Sequence, residues 1–280
     1  MADTKQDGGL SNYVIGHSKD VTNALAARSA ARQMAFLLPH LQQDMHVLDV
    51  GCGPGSITCD MAELVPNGHV TGVDLSPAVL EEARAAATTR KVENITFTAG
   101  DVQAGLSFPD ASFDVVFCHQ LLNHLSDPIK ALREMKRLIK PTGMLAVREG
   151  ICHLWYPDFP ALADMDRILE TTMLAAGAKE PGAGRCLIAW TREAGYEPND
   201  RDFLVNGTPI MGAAGRARMR GFFQASFSEA AELRKKAVAA GVDDKRITDL
   251  YEAAMKWVAD PESFRVLVCG ELICRMDKTG

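Results

Sequence analysis

The chain has 280 residues, 47% of them hydrophobic and 24% charged, with a net charge of −6. That length and composition suit one large α/β domain with an appendage, or two small domains, each able to bury a core. The acidic balance argues against a surface built along nucleic-acid phosphates, and no run of about 20 apolar residues is present to span a membrane.

In chain order, residues 1–10 read as a disordered lead without the apolar core of a signal peptide. The seven cysteines include no C-x-x-C pair and do not suggest a disulfide framework, so the expected compartment is the reducing cytoplasm. Residues 20–38 carry Val21, Leu25, Ala31, Met34 and Leu38 at helical positions, and Pro39 ends the pattern. Residues 47–58 begin as a short apolar strand, break into a glycine-rich turn and resume helical periodicity through Ile57, Met61 and Leu64. Gly51, Gly53 and Gly55 let bare backbone approach a ligand, and the helix start offers unpaired N–H groups and a positive dipole end. This is nucleotide-type binding geometry.

The spacing discriminates among nucleotides. A dinucleotide fingerprint needs G-x-G-x-x-G, whereas here the glycines fall as G-x-G-x-G and position 56 is Ser. No G-K-[ST] follows, which excludes a P-loop. Asp49 lies inside the strand end, where a pyrophosphate has no use for a carboxylate but an amino-acid ammonium group does. The second strand, His69–Asp74, ends on Asp74, placed to accept both hydroxyls of a ribose.

Ser76 and Pro77 start a helix that runs through Ala87, and residues 94–102 alternate as a third strand. Residues 113–118 form a nearly unbroken apolar run, a parallel strand buried on both faces. Ligands of open α/β sheets bind outside the carboxyl ends of the strands, which puts His119, Gln120 and Asn123 at the ligand. His124 is read as capping or packing the next helix. That helix, 127–139, ends in Lys136, Arg137 and Lys140, a basic end suited to its dipole. A fifth strand over 144–149 follows, then a loop holding Trp155 and Tyr156, a helix over 159–176 and a helix over 184–195 that ends at Gly195. A strand over 202–206, a mostly helical insertion at 211–260 and a strand over 264–275 complete the chain.

Leu48-Asp-Val-Gly-Cys-Gly-Pro-Gly55, Gly72-Val-Asp74-Leu-Ser and Ala99-Gly-Asp101-Val together resemble the class I S-adenosylmethionine-dependent methyltransferases, nearest the ubiquinone/menaquinone-biosynthesis type. The resemblance runs from about Val47 to Glu149. It implies an α/β, Rossmann-like sheet of seven strands with helices on both faces and an antiparallel last hairpin. It also divides the chain into an N-terminal helical segment over the cofactor (1–40), a core (41–210 and 261–280) and a helical lid (211–260). S-adenosylmethionine is the implied cofactor, and no metal site is expected.

Carried over residue by residue, Asp101 meets the exocyclic amine of adenine and Val102 lies beside the ring, with the alternative that Asp101 caps the next turn. Tyr13 is the aromatic near the transferred methyl, or it packs the first helix against the sheet. The cofactor set is then Tyr13, Asp49, Gly51, Gly53, Asp74, Leu75, Asp101, Val102 and Cys118. The acceptor set is His17, His119, Asn123, Trp155 and Phe222. Met211, Met219, Phe223, Phe227 and Tyr156 supply further soft and aromatic surface on the lid.

His119, with an intrinsic pKa near neutrality, is the candidate base where the acceptor must lose a proton. Small-molecule members of the family show a similar H-Q-x-L-x-H-L-x-D-P run, and often an Arg-Glu pair such as Arg148 and Glu149, whose role as salt bridge or substrate contact stays open. The expected acceptor is a small, largely hydrophobic secondary metabolite, with S-methylation of a gliotoxin-type dithiol as the chosen chemistry. C- or O-methylation of a quinone or phenol is the competitor. A macromolecular methyltransferase and a non-methylating protein on the same fold are further alternatives. No nucleic-acid or membrane partner is expected, and the chain is read as a monomer or weak dimer.

Overall fold

The structure is a computed structural model, and it describes Ala26, residues 28–197 and residues 201–276. Tyr13 and His17 lie outside the described residues. Seven strands form one sheet: β1 (His46–Val50), β2 (His69–Asp74), β3 (Ile95–Ala99), β4 (Phe113–His119), β5 (Ile139–Tyr156), β6 (Arg201–Ile210) and β7 (Phe264–Arg275). Their order is β3-β2-β1-β4-β5-β7-β6. The first five strands in that order are parallel, while β7 runs antiparallel to both β5 and β6. The order reverses between β1 and β4, and it is there, at the carboxyl ends, that a doubly wound sheet opens a crevice.

Alternation along the central strands explains the two layers. Leu48, Val50, Val116, Cys118, Leu145 and Val147 face one side, against helices α4 (Pro128–Leu138) and α6 (Leu187–Glu193). Val47, Val115, Phe117 and Ala146 face the other, against α1 (Ala30–Gln33) and α2 (Ser56–Leu64). Helix α3 (Pro77–Arg90) packs beside β3 and is capped by Ser76 Oγ, which accepts from Val79 N–H, with Pro77 in the first turn. Asp127 caps α4 in the same way, accepting from Lys130 N–H at 2.9 Å.

Two expectations change. The single helix read over 20–38 is interrupted, because Ser29 is extended (φ −138°, ψ 152°) and α1 starts only at Ala30. The start of α1 is instead satisfied by Asp60, whose Oδ2 accepts from Ala30 N–H at 2.7 Å. The segment around Trp155, read as a loop, is strand: β5 passes a register shift at Gly150/Cys152 and continues to Tyr156, paired throughout with β7.

This β5–β7 extension carries a helical cap. Helix α5 (Pro160–Ala175) follows β5, α7 (Gly212–Phe227) follows β6, and α8 (Glu232–Ala239) and α9 (Asp244–Ala259) lead back into β7. The cap has its own core, centred on Met165, Ile168, Phe223, Phe227, Leu250 and Trp257. Each such buried side chain contributes about 1.5–3 kcal/mol relative to exposure. Helix α5 belongs to this unit together with residues 211–260. None of the described helices is long and apolar enough to cross a membrane.

Candidate active site

A cavity of about 610 Å³ opens at the carboxyl ends of β1, β2 and β4 and continues beneath the cap. Asp49, Gly51, Gly53, Asp74, Leu75, Asp101 and Val102 line one end; His119, Asn123 and Phe222 lie further along.

At the first end the turn after β1 is held by β2. Gly51 N–H and Cys52 N–H donate to Val73 O at 2.7 and 3.0 Å. Asp74 accepts from Gly53 N–H through Oδ2 and from Ser76 N–H through Oδ1, each at 3.0 Å. One carboxylate thus ties two loops together and keeps lone pairs on both oxygens for a diol. Gly53 adopts φ +53° and has nothing within 4 Å of where a Cβ would stand, so a ligand meets backbone there. Asp101 Oδ1 accepts from Gln103 N–H at 2.8 Å, while Oδ2 has no hydrogen-bond partner among the described residues. Asp101 therefore caps the turn and still presents an acceptor to the cavity.

Asp49 is only 3% exposed, and its Oδ2 accepts from Thr58 Oγ–H at 2.7 Å. Burial pushes its pKa up to about 7, with Asp74 adding to the rise and the Thr58 bond opposing it. A carboxylate this strained by desolvation, with Oδ1 unpartnered among the described residues, is complementary to a cation. The residues therefore fit S-adenosylmethionine: Asp49 for the ammonium group, Asp74 for the ribose, Asp101 for the adenine amine and Gly53 for close backbone passage.

Beyond β4 the chain makes a forced turn. Gln120 has φ +55°, a left-handed conformation that is uncommon for a side-chain-bearing residue. Glu149 Oε1 holds this turn by accepting from Leu121 and Leu122 N–H, both at 2.8 Å. Burial raises the Glu149 pKa to about 7. Arg148, 1% exposed, reaches the other way: Nε to Glu271 at 2.9 Å, Nη1 to Gln33 at 3.0 Å and to His119 Nε2 at 3.1 Å, and Nη2 to Thr208 at 2.6 Å. The Arg-Glu pair is a scaffold on both counts. Asn123 lines the cavity, and its buried Oδ1 has no hydrogen-bond partner among the described residues.

Three residues lie elsewhere than expected. Cys118 is fully buried in the layer shared with α4 and does not reach the cavity, because alternation along β4 turns it into the core. Trp155 packs on Phe223 and Trp257 inside the cap, with ring centroids at 6.0 and 5.4 Å, instead of lining the cavity. Tyr156 stacks on Phe264 at 5.3 Å on the outer side. His119 lines the cavity but cannot serve as a base through Nε2. Arginine only donates, so the Arg148 contact makes Nε2 the acceptor and places the proton on Nδ1. Burial, with Arg28 and Arg148 nearby, also lowers the His119 pKa well below its ordinary value.

Several cavity residues lay outside the sequence reading: His153, Asp166 and Arg265, from β5, α5 and β7. Asp166 accepts from His153 backbone N–H at 3.1 Å and pairs with His153 Nδ1. The signal for His153 was present in 151–156, a run of β-forming residues, but Gly150 and Pro157 bracketed it as a loop.

A seven-stranded sheet with this reversed order, a glycine turn after β1 and acidic residues ending β2 and following β3 define a methyl-transfer enzyme of the Rossmann-like class. Comparison with known proteins agrees. Residues 41–180 match the family described as methyltransferase domain. The chain is 31% identical to the "Probable methyltransferase ltbC" of Aspergillus luteorubrus across 94% of this chain and 96% of that one. It is 39% identical to a demethylmenaquinone methyltransferase of Listeria monocytogenes over 41% of this chain and 48% of the relative. A solved candidate methyltransferase of Bacillus halodurans shares the fold at a TM-score of 0.59 and 19% identity, covering 89% of this chain and 98% of that one. The chain belongs to the class I S-adenosylmethionine-dependent methyltransferases.

Proposed function

We propose that this methyltransferase acts on a small, largely apolar acceptor, and that the acceptor atom is sulfur, as in a gliotoxin-type dithiol. The supporting observation is the cavity itself, which runs without a break from the Asp49–Asp74–Asp101 end to walls made by Met165, Leu169, Met173, Phe222 and Leu267. One chamber then holds cofactor and acceptor, and the cap shields both from water. S-adenosylmethionine supplies a methyl already activated on a sulfonium. What remains for the chain is alignment, which can contribute on the order of 7–11 kcal/mol.

The state of His119 favours sulfur. With Nε2 occupied by Arg148, this side chain donates a hydrogen bond and does not remove a proton. A thiol, with a pKa of roughly 8.5, supplies its own thiolate near neutral pH. Methylation of a quinone carbon or phenol oxygen is the second reading, favoured by the identity to the demethylmenaquinone methyltransferase. A macromolecular acceptor is disfavoured by the basic end of α4, where Arg137 is paired with Glu134 and Asp110, and Lys140 with Asp114.

The test is a panel of thiols, including a reduced epidithio compound, beside phenols and hydroquinones, incubated with methyl-labelled cofactor. Thioether products from wild type, absent with Asp74→Ala, are expected. Labelled product from phenols or quinones alone would retire the sulfur assignment and leave the second reading.

A further inference from the structure

Arg265 sits on β7 opposite Trp155 of β5 and is 9% exposed. Its guanidinium lies over the Trp155 ring, 5.3 Å from the centroid, and Nη1 reaches Met219 Sδ at 3.1 Å. Among the described residues it makes no ion pair, and its buried Nε has no hydrogen-bond partner. It nevertheless lines the cavity. The nearby carboxylate, Asp166, is already engaged on both oxygens by His153. Glu170, which also lines the cavity, lies in the field of Arg185. Asp166 acts on the Arg265 guanidinium only through its field, without direct contact. A guanidinium taken out of water with no anion bonded to it is costly, and an aromatic face and a thioether offset little of that cost. Burial accordingly draws the Arg265 pKa down to about 10. The arrangement holds a cation at the cavity wall with no ion pair among the described residues.

Its place in the fold gives the distance. His119 is opposite Arg148 on β5, and Arg265 is opposite Trp155, seven positions further along the strand (148 to 155). On β7 the same rows are six positions apart (271 to 265) because β5 bulges at Gly150/Cys152. At roughly 3.3 Å per residue they are about 20 Å apart, less the reach of the arginine side chain into the cavity. Met165, Met173, Phe222 and Leu267 supply apolar wall to the same cavity, beside the paired His153 and Asp166.

We propose that Arg265 is an anion anchor at the far end of the acceptor cavity, and that the acceptor is an elongated apolar molecule bearing a carboxylate remote from the atom that is methylated. The proposal rests on the reading of this cavity as the acceptor site. Trp155 and Met219 hold the anchor in place from behind. Arg265 sets which acceptor binds and takes no part in the transfer itself.

The experiment compares 10-mercaptodecanoate with its methyl ester, by calorimetric titration into protein loaded with S-adenosylhomocysteine and by KM and kcat with S-adenosylmethionine. The acid is expected to bind about 30-fold more tightly than the ester to wild type, the scale of a charge-assisted hydrogen bond in a buried site. In Arg265→Gln that preference should vanish through the acid alone, with the ester unchanged; Arg265→Lys should retain part of it. The effect should fall on KM and leave kcat nearly unaltered.

Equal binding of acid and ester by wild type, or a preference that survives Arg265→Gln, overturns the anchor. The affinity of each variant for S-adenosylhomocysteine reports whether it has folded. If Arg265→Gln fails that check, the wild-type ratio and Arg265→Lys decide. Binding of both compounds without methyl transfer to either would count against the sulfur reading and leave the anchor standing. Binding of neither would overturn the acceptor cavity and the anchor with it.

Discussion

Arg148 Nη1 donates to His119 Nε2 at 3.1 Å, and this contact fixes the tautomer of a histidine at the mouth of β4. A residue that sequence alone marks as a base is thereby made a donor. His119→Gln should lower kcat/KM by about tenfold, the worth of one hydrogen bond, with the shape of the pH–rate profile unaltered. A loss of 100-fold or more, together with disappearance of an ionisation from the profile, would show that His119 removes a proton after all.

Arg148 and Glu271 are a buried ion pair, 1% and 2% exposed along their side chains. Removing one partner of such a pair strands the other. Arg148→Met should destabilise the protein by about 3–5 kcal/mol, and adding Glu271→Leu should recover more than half of that. Urea unfolding of the two variants measures it. The single variant should also raise the pKa of His119, which loses both a donor to Nε2 and a nearby positive charge; NMR titration of the ring checks this.

Asp49 trades stability for binding. Its folded pKa is raised from 3.8 to about 7, so the folded state holds a proton that the unfolded chain releases. Below the unfolded value both states are protonated and nothing is lost; as pH rises through the folded value, stability falls. Asp49→Asn should therefore stabilise the cofactor-free protein by about 2–4 kcal/mol at pH 8, with little gain at pH 4. It should also weaken S-adenosylmethionine binding by about 100-fold, as expected for a lost buried charge pair. Thermal unfolding at the two pH values, beside calorimetry, tests both signs.

Two glycines of the turn separate backbone from ligand effects. A Cβ on Gly55 would stand 2.8 Å from Ala83 Cβ, whereas one on Gly53 meets nothing. Gly55→Ala should cost stability by about 2–3 kcal/mol through overpacking and its positive φ. Gly53→Ala should cost only about 1 kcal/mol, from φ alone, yet lose most of its cofactor affinity. Unfolding midpoints and titrations on both variants distinguish the cases.

The cofactor end was legible because each residue there acts from a fixed place on a contiguous motif. Asp49 and Asp74 sit at strand ends and Gly53 in the turn after β1, and their placement needs only the backbone geometry that a strand–turn–helix enforces. Cys118 was misplaced by one step of alternation, since a residue at a strand end points to the cavity or to the core according to parity. The acceptor end was not legible for a different reason. His153, Asp166, Met219 and Arg265 come from four elements, and they meet only because β5 runs past Gly150 and pairs with β7 to its end. No local pattern announces such a meeting. Arg265 in particular reads in sequence as one more polar residue on an alternating strand.

The two ends of the cavity are lined from different stretches of chain, 49–102 at one and chiefly 119–173 and 208–267 at the other. Acceptor preference can accordingly drift by substitution in the cap and its supporting ribbon while cofactor affinity stays fixed. Arg148 sets a boundary to that drift. Its guanidinium grips Gln33, His119, Thr208 and Glu271 at once, so descendants of this chain are free to redraw the chamber above that arginine, and are held to one floor beneath it.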